Sequence, residues 1–390
     1  MRSIRQFGVE PANPPGRNRA ALQEAIDWAS GCGAALFVEP ADEPYRVDGG
    51  LQLRRNASLV GVHGPTGRGT RHPGHARPVG SVLQIEDEDA PFVTVEAATQ
   101  LRGLQLWYPG QTLTDPARIV AYPATVRVSS ASSAQGVTLS NLTFYGEYLA
   151  MDFQASPQQI CEQILCEHCY GYPLSGEFIG IDYCYDIPRL LHCHVNPANQ
   201  RFIRGGFSRE VIDHVVRQPR FTYTIDHTDN AQVMDVFTFG AYGGIRLGPA
   251  TYGQLTNFNF DCVTIGVHKL GDNTFNRNWQ LAQGSIIANA GPRVEDVHPV
   301  IVEGEGHTAL SNVEAFSGQN GALTALGQSQ DFLLVRGQGR PTVTLSGCRM
   351  RNYVAPAPLT LQNPRAIVQA VACVDRDERL YNRTIPPDAP

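Results

Sequence analysis

At 390 residues the chain has room for two or three average domains, or for one elongated all-β unit. Its 42% hydrophobic and 17% charged residues describe a foldable globular protein and exclude a disordered one. A net charge of −6 argues against a phosphate-tracking surface, so nucleic acid is not an expected partner.

The sequence holds no apolar run long enough to span a bilayer, and no membrane partner is expected. The N-terminus, MRSIRQFGVEPANPP, lacks the apolar core of a signal peptide. That predicts a cytoplasmic protein, or a secreted one whose leader has been removed. Nine cysteines, an odd count spread along a long chain, do not read as a disulfide framework. Of 31 basic residues Lys269 is the only lysine. A GC-rich genome explains the arginine excess, and arginine also suits bidentate binding of carboxylates and sugar hydroxyls.

Residues 17–30, RNRAALQEAIDWAS, read as a helix. Ala21, Leu22, Ala25, Ile26 and Ala29 keep helical spacing, and Gly31-Cys32-Gly33 ends the run. Short strands follow at 35–38, 45–47 and 57–62. The Gly/Pro/Arg/His stretch 64–80 is expected to be a lid-like loop. From about residue 81 a loose repeat takes over in segments 100–108, 136–144, 189–195, 232–239, 252–260, 307–316 and 342–350. Leu139, Leu190, Val233, Leu255, Leu310 and Leu345 mark its phase, and 278–286 fits between the fourth and fifth. A period of roughly 22–30 residues with insertions is solenoid-like. Each unit alternates apolar and polar residues and ends in Asn, Gly, Asp or Ser, which suits a strand followed by a tight corner. A β-sandwich rarely repeats at this period, and a leucine-rich repeat would need a helical half that the units lack.

Phe7-Gly8-Val9, the helix 20–29, Phe37-Val38-Glu39-Pro40, Tyr45-Arg46-Val47, Leu51-Gln52-Leu53 and the strand LVGVHG (59–64) occur in a telling order. They resemble the pectin lyase-like superfamily of right-handed parallel β-helices, including its pectate-lyase and glycoside-hydrolase-related domains. In that family a helix caps the open end of the coil stack, and a strand and a Pro-x-Gly turn start the first coil. Here Pro11-Ala12-Asn13-Pro14 replaces the usual Gly-Asp-Gly-x-x-Asp-Asp-Thr, and ADEP (41–44) replaces the turn. The resemblance is motif-level over the first 65 residues and repeat-level beyond. It implies an all-β fold, a right-handed parallel β-helix with an N-terminal capping helix. The cap and first coil would occupy 1–65, coils with loop insertions 66–374, and an extended tail 375–390. It also implies a poly- or oligosaccharide as substrate and leaves room for a homo-oligomer. The superfamily hosts lyases, hydrolases, epimerases, transferases and phage adhesins, so the chemistry must come from the site.

Coils of such a stack repeat about every 4.8 Å, so equivalent positions in neighbouring coils touch. Met151-Asp152, Ile181-Asp182 and Ile225-Asp226 share an aliphatic-Asp form, and these acids are expected to line one outer face. Carboxylates one rung apart would approach the ~5–5.5 Å of a retaining glycosidase, and two rungs apart the ~6.5–9.5 Å of an inverting one. Asp186 and Asp235 are reserve candidates. The competing role for any of them is a corner residue that bonds backbone amides. Trp107, Tyr108, Tyr183, Tyr223 and Tyr242 could stack on sugar rings, and His194, His227, Arg204 and Arg246 could bind hydroxyl or carboxylate groups. Stacked aromatics and satisfied histidines are equally ordinary in such coils.

Cys161-x4-Cys166-x2-Cys169, with His168 between, imitates a metal-ligand spacing, and Cys184 or Cys193 could complete it. Cysteine also packs as a small hydrophobe inside narrow coils. Calcium would need a tighter acidic cluster than Asp182, Asp186 and Asp226 offer. No cofactor and no metal are therefore expected. The favoured function is hydrolysis of glycosidic bonds by an Asp pair. The alternatives are a lyase or epimerase acting on a uronate, and a non-catalytic glycan-binding or adhesin-like protein.

Overall fold

The computed structural model describes residues 1–62, 77–201, 205–271, 278–289, 296–316 and 328–387. Most of the loop expected at 64–80, and Arg204, lie outside these residues. The chain divides into two compact units, Met1–His214 and Val215–Pro390.

In the first unit the coils run through three main parallel ladders, and a short fourth one stacks Ala134–Gln135, Cys161–Glu162 and Cys184–Tyr185. One ladder stacks Ala35–Val38, Ser58–Gly61, Gln100–Arg102, Thr138–Ser140, Leu165–Glu167 and Arg189–Leu191. A second runs from Tyr45–Val47 through Gln105–Trp107 and Thr143–Tyr145 to His194–Val195. The third stacks Leu51–Leu53, Val93–Val95, Val126–Val128, Met151–Gln154 and Ile179–Asp182. Strands of two to four residues suffice because each contributes a few inward side chains per coil. Leu36, Leu59, Leu101, Leu139, Cys166 and Leu190 stand in register down the interior, all at most 1% exposed.

The second unit repeats the scheme with longer strands. Val233, Leu255, Leu281, Leu310, Leu345 and Ala370 form its interior column. A second ladder joins Phe221–Ile225, Phe237–Leu247, Asn259–Lys269, His298–Glu303, Leu333–Arg336 and Leu359–Leu361. The stretch 375–390, expected as an extended tail, carries the strand Leu380–Ile385, which returns antiparallel along Ile367–Val374.

The corners follow one rule. Two residues after Leu101, Leu139, Cys166 and Leu190 the backbone turns left-handed, at Gly103 (φ 67°), Asn141 (53°), His168 (50°) and His192 (55°) in the first unit. Asp235 (54°), Asn257 (52°), Gln283 (55°), Asn312 (53°) and Gly347 (63°) do so in the second. Asn, Asp, His and Gly tolerate this conformation best. The freed N–H groups donate to the next coil, as Asn141 does to Glu167 O and Asn257 to Ala282 O.

The cap helix spans Pro15–Cys32, with proline at its first turn and Gly33 (φ 63°) ending it. Leu22, Ala25, Ile26 and Ala29 are buried. Asn18, fully buried, accepts from Glu10 N–H and donates to the carbonyls of Glu10 and Arg46, which ties helix to coil. A further helix, Arg209–Arg217, was not expected.

Candidate functional site

The third ladder of the first unit presents polar residues outward, because Val126, Val128, Met151 and Phe153 take the inward positions. Arg127 and Asp152 are register partners, and Arg127 Nε donates to Asp152 Oδ2 at 3.1 Å. Asp152 Oδ1 accepts the Gln154 N–H at 3.1 Å. One coil on, Gly180 faces Asp152 and Asp182 faces Gln154. A Cβ on Gly180 would lie 2.5 Å from Gln154 Nε2 and 2.9 Å from Glu177 Oε1. The missing side chain thus makes room for those two groups, and Glu177 is itself buried. Arg127, Ser129, Ser130, Asp152, Gln154 and Gln159 border a recess of about 280 Å³.

The expected column of acids is staggered in this unit. Asp182 stands two residues beyond Asp152 on the neighbouring strand, so the two share a face without sharing a rung. At ~3.3 Å rise per residue and ~4.8 Å between strands, their α-carbons lie about 8 Å apart. Asp182 Oδ1 accepts the N–H of Tyr183, whose φ is 49°.

In the second unit Asp226 does similar backbone work. Its Oδ1 accepts N–H groups from His227 at 2.9 Å and Ala250 at 3.4 Å, with His227 Nδ1 3.7 Å away. It packs over Gly248, where a Cβ would come within 2.2 Å of its carboxyl carbon. Asp186 (φ 51°) and Asp235 (φ 54°) occupy left-handed corners. Gln163 donates to Asp186, and Asn257 donates to Asp235 at 3.2 Å. Corner geometry accounts for both without any chemistry.

Three of the expected sugar platforms are interior. Trp107 packs with Val82 and Tyr145. Tyr108 donates its hydroxyl to Thr125 at 2.9 Å, its ring 4.6 Å from that of Tyr122, and burial raises its pKa. Tyr223, fully buried, donates to Phe237 O at 3.0 Å. All three are at most 8% exposed, so they build walls rather than a stacking surface. Tyr183, His194, Tyr242 and Arg246 keep partial exposure, and the His194 ring lies 6.1 Å from that of Tyr170.

Sequence reasoning missed Glu147, which follows the left-handed Gly146. Its side chain is 1% exposed. Oε1 accepts the Tyr172 N–H at 2.6 Å, while Oε2 has no hydrogen-bond partner among the described residues. Burial raises its carboxyl to about 8 against the pull of its own and the Tyr172 N–H groups. A single Glu after Tyr-Gly offers no pattern that would single it out.

The cysteines behave as core. Cys161 and Cys184 are register partners, and burial pushes the Cys161 thiol up to about 12, away from the thiolate a metal requires. Among the described residues no group of three or more His, Cys, Asp or Glu is placed to hold a metal ion. Among them, too, no helix is long and apolar enough to cross a membrane.

No protein-family model matches the sequence, and no curated protein does. Solved structures do. A DFA-IIIase from Arthrobacter chlorophenolicus A6, in complex with GF2, matches with a TM-score of 0.55 at 11% identity over 97% of this chain and 94% of that one. A mutant of that enzyme in complex with DFA-III gives 0.54 at 10% identity, again over 97% and 94%. The N-terminal fragment of bacteriophage Phi29 gene product 12 gives 0.53 at 11% identity, over 99% and 73%. At such identities the likeness is one of fold. It is a right-handed parallel β-helix, the fold that the N-terminal motifs lead one to expect.

Proposed function

We propose that the chain is a carbohydrate-active enzyme that hydrolyses glycosidic bonds, with Asp152 and Asp182 as its carboxylate pair. The observation that carries this reading is their shared outward face, staggered by two residues across neighbouring coils, beside the recess at Arg127. Their stagger by two residues across neighbouring coils leaves room for a water between base and sugar, as an inverting arrangement requires. Asp152, against the Arg127 guanidinium, is suited to act as the carboxylate that takes a proton from water. Asp182 then protonates the leaving oxygen. Ser129, Ser130, Gln154 and Gln159 supply hydroxyl and amide groups for sugar hydroxyls. The fold shared with a DFA-IIIase in complex with GF2 and with DFA-III is consistent with a saccharide ligand.

The test is a panel of neutral and acidic poly- and oligosaccharides assayed for new reducing ends. Asp152→Asn and Asp182→Asn should each lower kcat by about 10²–10⁴ while their thermal unfolding stays near that of the parent. Wild-type rates in both variants would overturn the assignment. An unsaturated product absorbing in the ultraviolet would make the protein a lyase, and retention of a glycan with no product would make it a binding protein.

A further inference from the structure

The second unit carries an outward cluster that the carboxylate pair does not use. His268 Nε2 lies 3.1 Å from Glu303 Oε1, and Arg336 Nε donates to the same oxygen at 2.5 Å. Glu303 therefore satisfies two cationic or donor partners at once. Burial would raise its carboxyl, but Arg336 and His268 outweigh that and hold it below its ordinary value. With the carboxylate at Nε2, the imidazole keeps its proton there and leaves Nδ1 as an acceptor. Burial lowers the His268 pKa, Glu303 opposes, and Arg336 and Arg246 reinforce, so the ring is neutral near pH 7.

Arg246 is different. It is the register partner of His268 on the adjacent strand and is partly exposed, and its side chain has neither ion pair nor hydrogen bond among the described residues. Nearby Phe221 lies flat over Gly243, where a Cβ would come within 2.2 Å of its ring. Its ring meets Tyr242 edge-on at 5.9 Å and lies 5.9 Å from His268. Neighbouring strands thus bring together an uncompensated guanidinium, a neutral imidazole acceptor and an aromatic pair.

We propose that this cluster is a binding subsite for a saccharide bearing an oxyanion, a carboxylate or a sulfate ester. Arg246 takes the oxyanion in its planar fork, His268 Nδ1 accepts a sugar hydroxyl, and Tyr242 offers a ring to the C–H face. Glu303 and Arg336 are positioning residues that fix the imidazole. The subsite narrows the ligand class of the carbohydrate reading and rests on it, yet it uses none of the residues assigned to hydrolysis.

Three oligosaccharides of equal length, one of uronate units, one sulfated and one neutral, are titrated calorimetrically into the full chain carrying Asp152→Asn. At least one anionic probe should bind. Arg246→Ala should weaken it about ten-fold while the folded chain's melting point is retained, and added salt should do the same. Arg246→Lys should restore part of the loss, since it returns charge without the fork. Which anionic probe binds separates carboxylate from sulfate. Binding of the neutral probe alone, no binding of any probe, or equal affinity with and without Arg246 overturns the proposal. Hydrolysis lost in Asp152→Asn with no Arg246-dependent binding would sink the subsite alone. Arg246-dependent binding in a chain that never hydrolyses would sink the enzyme reading alone.

Discussion

A recurring Asp at the end of a strand has two physical explanations, and both occur in this molecule. Left-handed corners select Asn, Asp, His and Gly, and this accounts for Asp186 and Asp235 on backbone grounds alone. Asp152 escapes that account, because it sits within a strand and its carboxylate meets Arg127. Its aliphatic-Asp form was legible in the sequence, whereas its stagger from Asp182 was not. Stagger depends on how many residues each loop inserts between strands, which local sequence does not encode. Glu147 was illegible for a related reason, since its burial arises from Gly171 and Tyr172 in the next coil. Its chemistry nonetheless leads to a definite pH dependence. The folded carboxyl titrates at about 8 and the unfolded one near its ordinary 4.5. Below pH 4.5 both states hold the proton and the group is neutral in its effect. Between 4.5 and 8 the unfolded chain releases the proton first, so stability falls by up to about 1.4 kcal/mol per pH unit, and above 8 it levels off. Glu147→Gln removes this term. The melting-temperature gap between variant and parent should widen from pH 4.5 to 8, and parallel profiles would show that the carboxyl is not so buried.

The repeat was the most legible element, because its columns need an apolar residue at one place in every coil. Leu139, Leu190, Val233, Leu255, Leu310 and Leu345 all stand in the interior columns. Cys166 did not mark a coil in the sequence because a cysteine replaces the leucine there, yet it holds the same place between Leu139 and Leu190. Four other cysteines follow their own rule. Cys169, Cys193, Cys348 and Cys373 each come just after a left-handed corner, and each thiol donates to the carbonyl two residues back, at 3.5–3.8 Å. A small, weakly donating side chain fits a position where the turning backbone leaves both little volume and an accessible carbonyl. Column and corner packing accounts for the places of Cys166 and Cys169 within their metal-like spacing. Cys32 alone is exposed, and Cys262 is half-buried. Native labelling with an iodoacetamide should therefore modify Cys32 quickly, Cys262 slowly and the remaining seven only on unfolding. Mass spectrometry of tryptic peptides reads the order, and early modification of Cys169 or Cys348 would contradict it.

At the scale of the whole molecule, a stack of parallel coils has an edge problem at each end, because the last strands have no further coil to bond. The first unit meets it with the cap helix, whose Asn18 satisfies the backbone of Arg46 and Glu10. The second meets it differently. Ile367–Val374 would leave a long, apolar parallel edge, and Leu380–Ile385 covers it by pairing antiparallel. The helical cap was legible because its amphipathic spacing is local, and the strand cap was hidden because Arg and Asn dilute the alternation of 380–385. Its function sets the final expectation. Removing 375–390 exposes the N–H and C=O groups of Ile367–Val374 together with Val368 and Ala370, which are buried in the intact chain. Edge-to-edge pairing between copies then becomes the cheapest way to satisfy those groups. The shortened chain should keep the circular dichroism of the parent at low concentration but sediment as concentration-dependent oligomers. A Lys substituted for the outward Val371 should return it to the parent's sedimentation, because a charge on the bare edge penalises pairing without touching the interior column. Truncated protein that sediments like the parent at every concentration would show that Leu380–Ile385 is an ornament of the last coil and not its cap.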